Sequence, residues 1–536
     1  MLKLLLGGSG SGKTTLLYQR IRARAEAGEK SILLVPEQFT SSTEGRIHRE
    51  MGDALSGLVE SFSFTSLAEH ILSAEGGSAV QTLSDAGRAV LVRRALEELQ
   101  DNVHYYYRHR RSAAFCQMAA ETIDELKSAG LSGQQLYELA QDCGTDSAKL
   151  SELALIFQGY ETLLAGTGMD PSDRLELAAD RLEAALARGS LPEFLQDRAV
   201  FIDEFDTFNA PKKRLLGAML AALPSVTVAL CDDGAPLLPG DLSLFSGAKQ
   251  VAAQLRQLAR KNGAEVAVPQ LLRKDLRHRN APGLAAVAEL LETGSCTADA
   301  PADEVRLFAA PSREEEARAA AGAIRRLMRQ GVRCGKIAVV CRDIAKYRAA
   351  VRYEFRMAEI PLYCDEPTTP EFSAPATAVR ALLEIARGAD LTENLTTLAK
   401  TGLCALSEEQ VCALENYAYT WAPTAAAWRE KFERSPKGFG EQELTEEDLR
   451  NRERAEHARA LLVGAVDAFR AKVRGVNAEA ISRAVYFCLK TLGAEEQQAA
   501  QVKAIRAGRG IPAAEEAARE WNVVMGLLNE MAHLLG

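Results

Sequence analysis

Cysteine is sparse and scattered in this sequence. Ten Cys occur in 536 residues, none in a C-x-x-C pair, and the closest, Cys334/Cys341 and Cys404/Cys412, have no metal-ligand spacing. A disulfide framework is excluded as the organising principle, and reduced, buried thiols are expected. No apolar run approaches the ~20 residues of a membrane-spanning helix, so no membrane association is expected. The first apolar stretch, Leu4-Leu5-Leu6, is too short for a signal peptide, and a cytoplasmic location is expected. Excess positive charge is lacking too. Against 64 Lys and Arg stand 73 Asp and Glu, a net charge of −9, so any nucleic-acid surface has to be local. What is present is ordinary for a globular protein: 47% apolar and 26% charged residues. The length predicts about three or four domains.

The most informative stretch is Leu4–Thr15, LLLGGSGSGKTT. A short apolar strand runs into Gly7-Gly8-Ser9-Gly10-Ser11-Gly12-Lys13-Thr14, which fits G-x-x-x-x-G-K-[ST], the loop that cradles phosphates in P-loop NTPases. Glycines let successive backbone N–H groups turn toward phosphate oxygens. Lys13 supplies a cation for the β- and γ-phosphates, and the Thr14 hydroxyl is placed to hold Mg²⁺. From Thr15 the chain reads as a helix whose N-terminus faces the anion. ATP and Mg²⁺ are the expected cofactors.

Ser31–Val35 reads as a strand buried on both faces, followed by Pro36-Glu37-Gln38-Phe39-Thr40. Polar residues past the C-terminal end of a parallel strand lie at the ligand edge of an α/β sheet. Val59–Ala68 predicts a further strand and a helix start. Between 86 and 190 the pattern is helical, with apolar stripes at Leu91/Ala95/Leu99, Phe115/Ala119/Ile123/Leu126 and Leu153/Ile156/Tyr160/Leu163. Within this region lies His104-Tyr105-Tyr106-Tyr107-Arg108-His109-Arg110-Arg111. Tyr105, Tyr106, Arg108 and Arg110 there are candidate single-strand contacts, rings for bases and cations for phosphates. The alternative is a basic helix junction whose tyrosines pack at its base.

Sheet pattern returns at Ala199–Ile202, which runs into Asp203-Glu204. After a P-loop, an apolar strand ending in Asp-Glu predicts a Mg²⁺-binding Asp203 and a Glu204 that orients or deprotonates the attacking water. The 190 residues from Lys13 to Asp203 predict a large helical insertion between two halves of one site. Val226–Leu230 is another buried strand, ending at Cys231-Asp232-Asp233-Gly234. Residues 293–303 read as a linker. Beyond it, a second α/β unit is expected over 304–370, with strands at Val305–Ala309, Lys336–Cys341 and Ile360–Tyr363. Its helices begin at Ser312, in a capping box with Glu315, and near Tyr347. Arg342, at the end of the second of these strands, either reaches across a cleft to a γ-phosphate or pairs with Asp343 at the surface. From 371 the chain is helical to its end and holds all three Trp, expected as core anchors.

Taken together, GGSGSGKTT, LLVPEQFT (33–40), LSDAGRAVLVRRAL (83–96), VFIDEFDTF (200–208) and IAVVCRDIAKYRAAV (337–351) resemble the AddB family of bacterial AddAB helicase–nucleases, within superfamily 1 helicase architecture. The resemblance is strong through the middle of the chain; over the last ~160 residues it rests on position and helical character. It implies an α/β fold: a P-loop NTPase (RecA-like) superfamily 1 helicase core with large helical insertions. Domain 1A would span 1–85 and 191–292, insertion 1B 86–190, the start of domain 2A 304–370, and insertion 2B 371–536. It further implies an ATP-binding subunit paired with an AddA-like partner, working on single-stranded DNA and duplex ends, with a role in Chi recognition. Gln38 and Thr40 become candidate DNA contacts. Relatives of this kind continue into a nuclease domain with a four-Cys iron–sulfur cluster, and no Cys grouping here supplies it. This chain is therefore expected to be the N-terminal half of a longer protein, without nuclease activity of its own. One departure matters: Leu230-Cys231-Asp232-Asp233-Gly234 lacks the glutamine that couples γ-phosphate to DNA in motor helicases. ATP binding is thus better supported than ATP-driven stepping. An autonomous superfamily 1 translocase and a P-loop kinase without DNA are the competing readings.

Overall fold

A computed structural model describes residues 1–77, 82–295, 304–364, 372–440 and 443–535. Most of the expected linker, from residue 296, lies outside these. Six strands, β1 (Leu2–Gly7), β2 (Ser31–Leu34), β3 (Val59–Phe62), β4 (Ala199–Ile202), β5 (Ser225–Cys231) and β6 (Gln270–Leu272), form one sheet in the order β3-β2-β4-β5-β1-β6. Every pair is parallel. Their continuous apolar runs follow from burial on both faces. Leu4, Leu6, Ile32, Leu34, Val200, Ile202, Val228 and Leu230 point to one face. There they meet the helices Phe64–Ala74, Pro171–Ala187, Ala210–Ala222 and Ser246–Lys261. Leu5, Leu33, Phe201 and Ala229 point to the other face, under the helices Lys13–Glu26 and Thr40–Met51. The chain is α/β, with a parallel sheet and many helices.

Between β3 and β4 lie the helices Asp85–Glu98, Ala113–Ser128, Gly133–Ala140 and Ser147–Thr167, in the region read as an insertion. Their stripes meet in a core around Leu91, Ile123, Phe157 and Tyr160. Its last expected part behaves differently. Helix Pro171–Ala187 buries Leu175, Ala178, Ala179 and Leu182 on the sheet rather than in the insertion's core. The C-terminal helices, from Ala374–Ala386 to Ile511–Leu535, surround a fully buried Trp428, whose indole N–H donates to Thr392 Oγ1 at 2.8 Å. Trp421 and Trp521 pack on the same core, half-buried.

Residues 1–277 and 370–536 form one compact unit and 278–369 a second. In the second, helices Arg313–Arg329 and Ile344–Met357 pack through Ala321, Ile324 and Phe355. Of the capping box expected at Ser312 and Glu315, the N-cap half is present, the Ser312 hydroxyl accepting the Glu315 N–H at 3.3 Å. The three strands expected here are not. Among the described residues, 305–309, 337–341 and 360–363 form no strand, and Leu307, Phe308 and Val340 are exposed. An apolar run predicts a strand only where a neighbouring strand takes up its N–H and C=O groups. None does so among the described residues. No described helix is long and apolar enough to cross a membrane.

Candidate functional site

At the C-terminal edge of the sheet, β1 stops at Gly7 and the chain turns through Gly8–Gly12 into helix Lys13–Glu26. Gly10 and Gly12 have φ of +77° and +89°, which only glycine adopts without strain. A Cβ on Gly7 would overlap the Ser11 hydroxyl and stand 2.7 Å from the Leu272 carbonyl oxygen. The Lys13 ammonium folds back and donates to the carbonyls of Gly7 at 2.7 Å and Gly8 at 2.8 Å. Ser9 and Thr15 are exposed, whereas Ser11 is buried, and its hydroxyl has no partner among the described residues.

Asp203 follows β4 directly. Its backbone N–H donates to the Leu34 carbonyl at 3.1 Å, and its carboxylate accepts the Thr14 hydroxyl and, at 3.0 Å, the Glu204 N–H. Burial pushes the Asp203 carboxyl upward; the Thr14 and Glu204 hydrogen bonds and the Lys13 charge oppose that push. Glu204 is exposed and holds φ at +65°, a left-handed backbone rare for a side chain of this kind. Burial and the adjacent Asp203 push its carboxyl up as well. The chain thus brings Lys13, Thr14, Asp203 and Glu204 together across 190 residues of sequence. Gln38, exposed, and Thr40, whose hydroxyl donates to the Glu37 carbonyl at 3.1 Å, follow β2, the strand beside β4.

Three further residues at this edge escape a motif-by-motif reading. Tyr18 lies one helical turn beyond Thr14, and a four-residue spacing on one helix face was the available signal. Burial pushes its phenol up to about 12, so it stays neutral. Arg46, on helix Thr40–Met51, stacks its guanidinium 4.4 Å from the Tyr18 ring centroid. These two line a pocket of about 190 Å³ with Thr14, Phe39, Asp203 and Glu204. Arg277, from the basic run after β6, donates to the Ser9 hydroxyl at 3.3 Å, and the Leu276 N–H donates to the Gly10 carbonyl at 3.0 Å. A strap from residue 275 to 277 therefore lies on the loop. Asp232, at the place lacking the glutamine, is buried. It donates its N–H to the Gly7 carbonyl and caps the turn at Gly234 with its carboxylate.

The basic-aromatic run divides in two. Tyr106 stacks on Phe115 at 5.4 Å, and Arg110 lies 3.9 Å from the Tyr107 ring centroid while donating to the Tyr107 carbonyl. Tyr106 and Arg110 thus make contacts within the junction itself. Tyr105, 59% exposed, and Arg108 face solvent. The turn is pinned by Glu152, whose carboxylate accepts the N–H groups of His104, Tyr105 and Tyr106 at 2.8–3.2 Å. Arg342 is exposed and belongs to the unit 278–369. Its neighbour Asp343 caps helix Ile344–Met357 and pairs with Lys346 at 2.9 Å.

Comparison with known proteins bears on this arrangement. The B-subunit of the ATP-dependent helicase/deoxyribonuclease from Moorella thermoacetica is 30% identical over 563 aligned residues, covering all of this chain and 47% of that protein. The protein of the same name from Desulforudis audaxviator is also 30% identical, again covering all of this chain and 47% of its own length. That from Symbiobacterium thermophilum is 31% identical over 80% of this chain and 38% of its own length. The chain spans about half the length of these relatives. Residues 4–288, more than half of the chain and all of the sheet but Leu2 and Lys3 of β1, match the family model described as "ADDB, N-terminal". This protein belongs to the AddB N-terminal family.

Proposed function

We propose that this chain is the ATP-binding, DNA-handling part of a heterodimeric helicase–nuclease that processes double-strand DNA ends for recombinational repair. The observation that carries the reading is the convergence of Lys13, Thr14 and Asp203 at the ligand edge of a parallel sheet, in a member of this family. The sheet is read as a RecA-like P-loop NTPase domain. Gly7, Gly8, Ser9, Gly10, Ser11, Gly12, Lys13, Thr14 and Thr15 hold the triphosphate, and Thr14 and Asp203 hold Mg²⁺. The residues fit these groups. The buried Ser11 hydroxyl has no partner of its own, and the Thr14–Asp203 pair presents two oxygen donors beside the loop. When bound, Mg²⁺ neutralises phosphate charge. Glu204 is the residue placed to orient water, and Arg277 and Arg342 are candidate second cations. The partner is an AddA-like subunit, and the DNA is single-stranded or a duplex end, scanned for Chi.

Binding without stepping is the specific expectation, because Asp232 is spent on capping a turn where a sensor glutamine is absent. Filter trapping of radiolabelled ATP on this chain, with no hydrolysis stimulated by single-stranded DNA, is the expected pair of results. DNA-stimulated hydrolysis overturns this in favour of an autonomous translocase. Failure to retain single-stranded DNA at low salt favours the kinase reading instead.

Asp203→Asn keeps the shape of the site but loses one anionic oxygen donor. Nucleotide affinity measured in EDTA should stay within about twofold of wild type, while the gain on adding Mg²⁺ should be lost. An unchanged Mg²⁺ effect would take Asp203 out of the metal site.

Replacing both Tyr105 and Arg108 by Ala should weaken single-strand binding. Loss of one stacked base costs ~1–3 kcal/mol, and loss of one phosphate contact lowers the salt-dependence slope by about 0.7. Tyr106→Ala should instead lower the melting temperature, since its ring packs inward. Fluorescence anisotropy across a salt series together with thermal melts checks both.

A further inference from the structure

The last helix, Ile511–Leu535, belongs to two cores at once. Trp521, Val524, Met525 and Leu528 pack in the core around Trp428, while Met531 and Leu534 pack in the insertion's core around Phe157 and Tyr160. Its tip meets the start of helix Asp85–Glu98. There the buried Glu530 carboxylate accepts the Ser84 N–H at 2.7 Å through Oε1 and the Ser84 hydroxyl through Oε2. Arg94 adds a bond to the Leu534 carbonyl at 2.8 Å. Gly87 makes room for the acid, since a Cβ on it would overlap Glu530 Oε1. This gives a physical meaning to the block LSDAGR: Ser84 caps the helix, and Gly87 leaves the space that Glu530 fills.

The joint is narrow. Arg88, the nearby cation in sequence, is committed to Asp85 and Asp124. Among the described residues the Glu530 carboxyl oxygens are met by the Ser84 N–H and hydroxyl at the start of a helix. Holding a carboxylate out of water in this way is costly. Two apolar side chains add only a small buried area beside what a lasting interface uses. Next to the joint the two helical bodies stand apart across a cleft of about 950 Å³, lined by Gly166, Gly168, Arg483, Leu528, Asn529 and His533.

We propose that the Glu530–Ser84 joint is a releasable latch, which opens and shuts one end of this cleft while the sheet stays folded. Hydrogen exchange on the full 536-residue chain tests it. Amides of 84–91 and 525–535 are expected to exchange together, through an opening well below global unfolding, and much faster than those of β1 and β5. Glu530→Ala removes the acid, and Gly87→Ala pushes it out from the opposite side. Each should speed both segments about tenfold, leave the sheet unchanged, and add little to the other when combined.

Exchange of the two segments only together with the sheet would overturn the latch, and so would a Glu530→Ala effect confined to its own helix. Should either variant fail to fold, Glu530→Gln, which keeps the shape of the side chain, is expected to speed both segments by the same factor, and an effect on one segment alone would overturn the latch.

Discussion

Lys13→Ala should lower affinity for Mg–ATP at least about a hundredfold and leave the melting temperature nearly where it was. The two halves of this expectation have separate causes. The ammonium donates to the Gly7 and Gly8 carbonyls, part-buried at the mouth of the loop. The Gly7 carbonyl still accepts the Asp232 N–H at 3.2 Å, Gly8 is part-exposed to water, and Ala is a good helix former for helix Lys13–Glu26. Little stability is therefore at stake. With a triphosphate present, the same ammonium exchanges two neutral carbonyls for anionic oxygens. Hydrogen bonds to charged groups contribute ~1.5–3 kcal/mol each, and 1.4 kcal/mol is a factor of ten in affinity, so two such bonds give the hundredfold loss at the low end. Titration calorimetry paired with a thermal melt measures both. Unchanged affinity in a folded variant would withdraw Gly7–Thr15 as the phosphate site and, with it, the nucleotide half of the proposed function.

That prediction was available from sequence because all of its parts lie in one strand-loop-helix stretch. Asp203 was available for a related reason: a continuous apolar strand announces where its own C-terminal end falls, and Val200–Ile202 does so. The residues that surround them were not. Arg46 and Arg277 reach the site from helices and straps whose positions depend on the sheet order β3-β2-β4-β5-β1-β6, which no local pattern encodes. For Tyr106 and Arg110, residue type was legible and partner was not: ring and cation suit a nucleic-acid surface, and in the fold they also meet the Phe115 ring and the Tyr107 ring and carbonyl. Apolar runs failed as strand markers only in 304–370, where no described strand lies alongside to pair with them. Gly87 was legible as a residue in a block and illegible as a cavity, since the side chain that fills it, Glu530, comes from the far end of the chain.

Asp170→Ala should cost ~3–5 kcal/mol of stability, the largest effect expected from any polar substitution outside the nucleotide site. Asp170 is 1% exposed. One carboxylate oxygen accepts the buried Tyr160 hydroxyl at 2.5 Å, and the other accepts Lys127 Nζ at 2.8 Å. Removing it strands a phenol and an ammonium whose side chain is only 10% exposed. Asp173 also pairs with Lys127 and keeps part of the charge compensated, which sets the loss at a few kcal/mol rather than more. Burial alone would pull the Lys127 pKa down, but Asp170 and Asp173 together hold it above its usual value. A lysine raised in the fold contributes stability that is complete below its unfolded pKa near 10.4 and is lost only as pH rises through the folded value. The cost of Asp170→Ala should accordingly be the same at pH 6 and pH 8. Asp170→Asn, which still offers one oxygen, should cost less. Urea denaturation at the two pH values measures all of this, and a loss below ~1 kcal/mol would show that the network is not what holds these elements. The position gives the number its functional weight. Tyr160 and Lys127 belong to the inserted helices, while Asp170 opens helix Pro171–Ala187 on the sheet. The substitution therefore loosens the attachment of the insertion that carries Tyr105 and Arg108, and leaves Lys13, Thr14 and Asp203 untouched. Single-strand binding should weaken in the folded variant while Mg–ATP affinity holds, a separation that neither Lys13→Ala nor Asp203→Asn can produce.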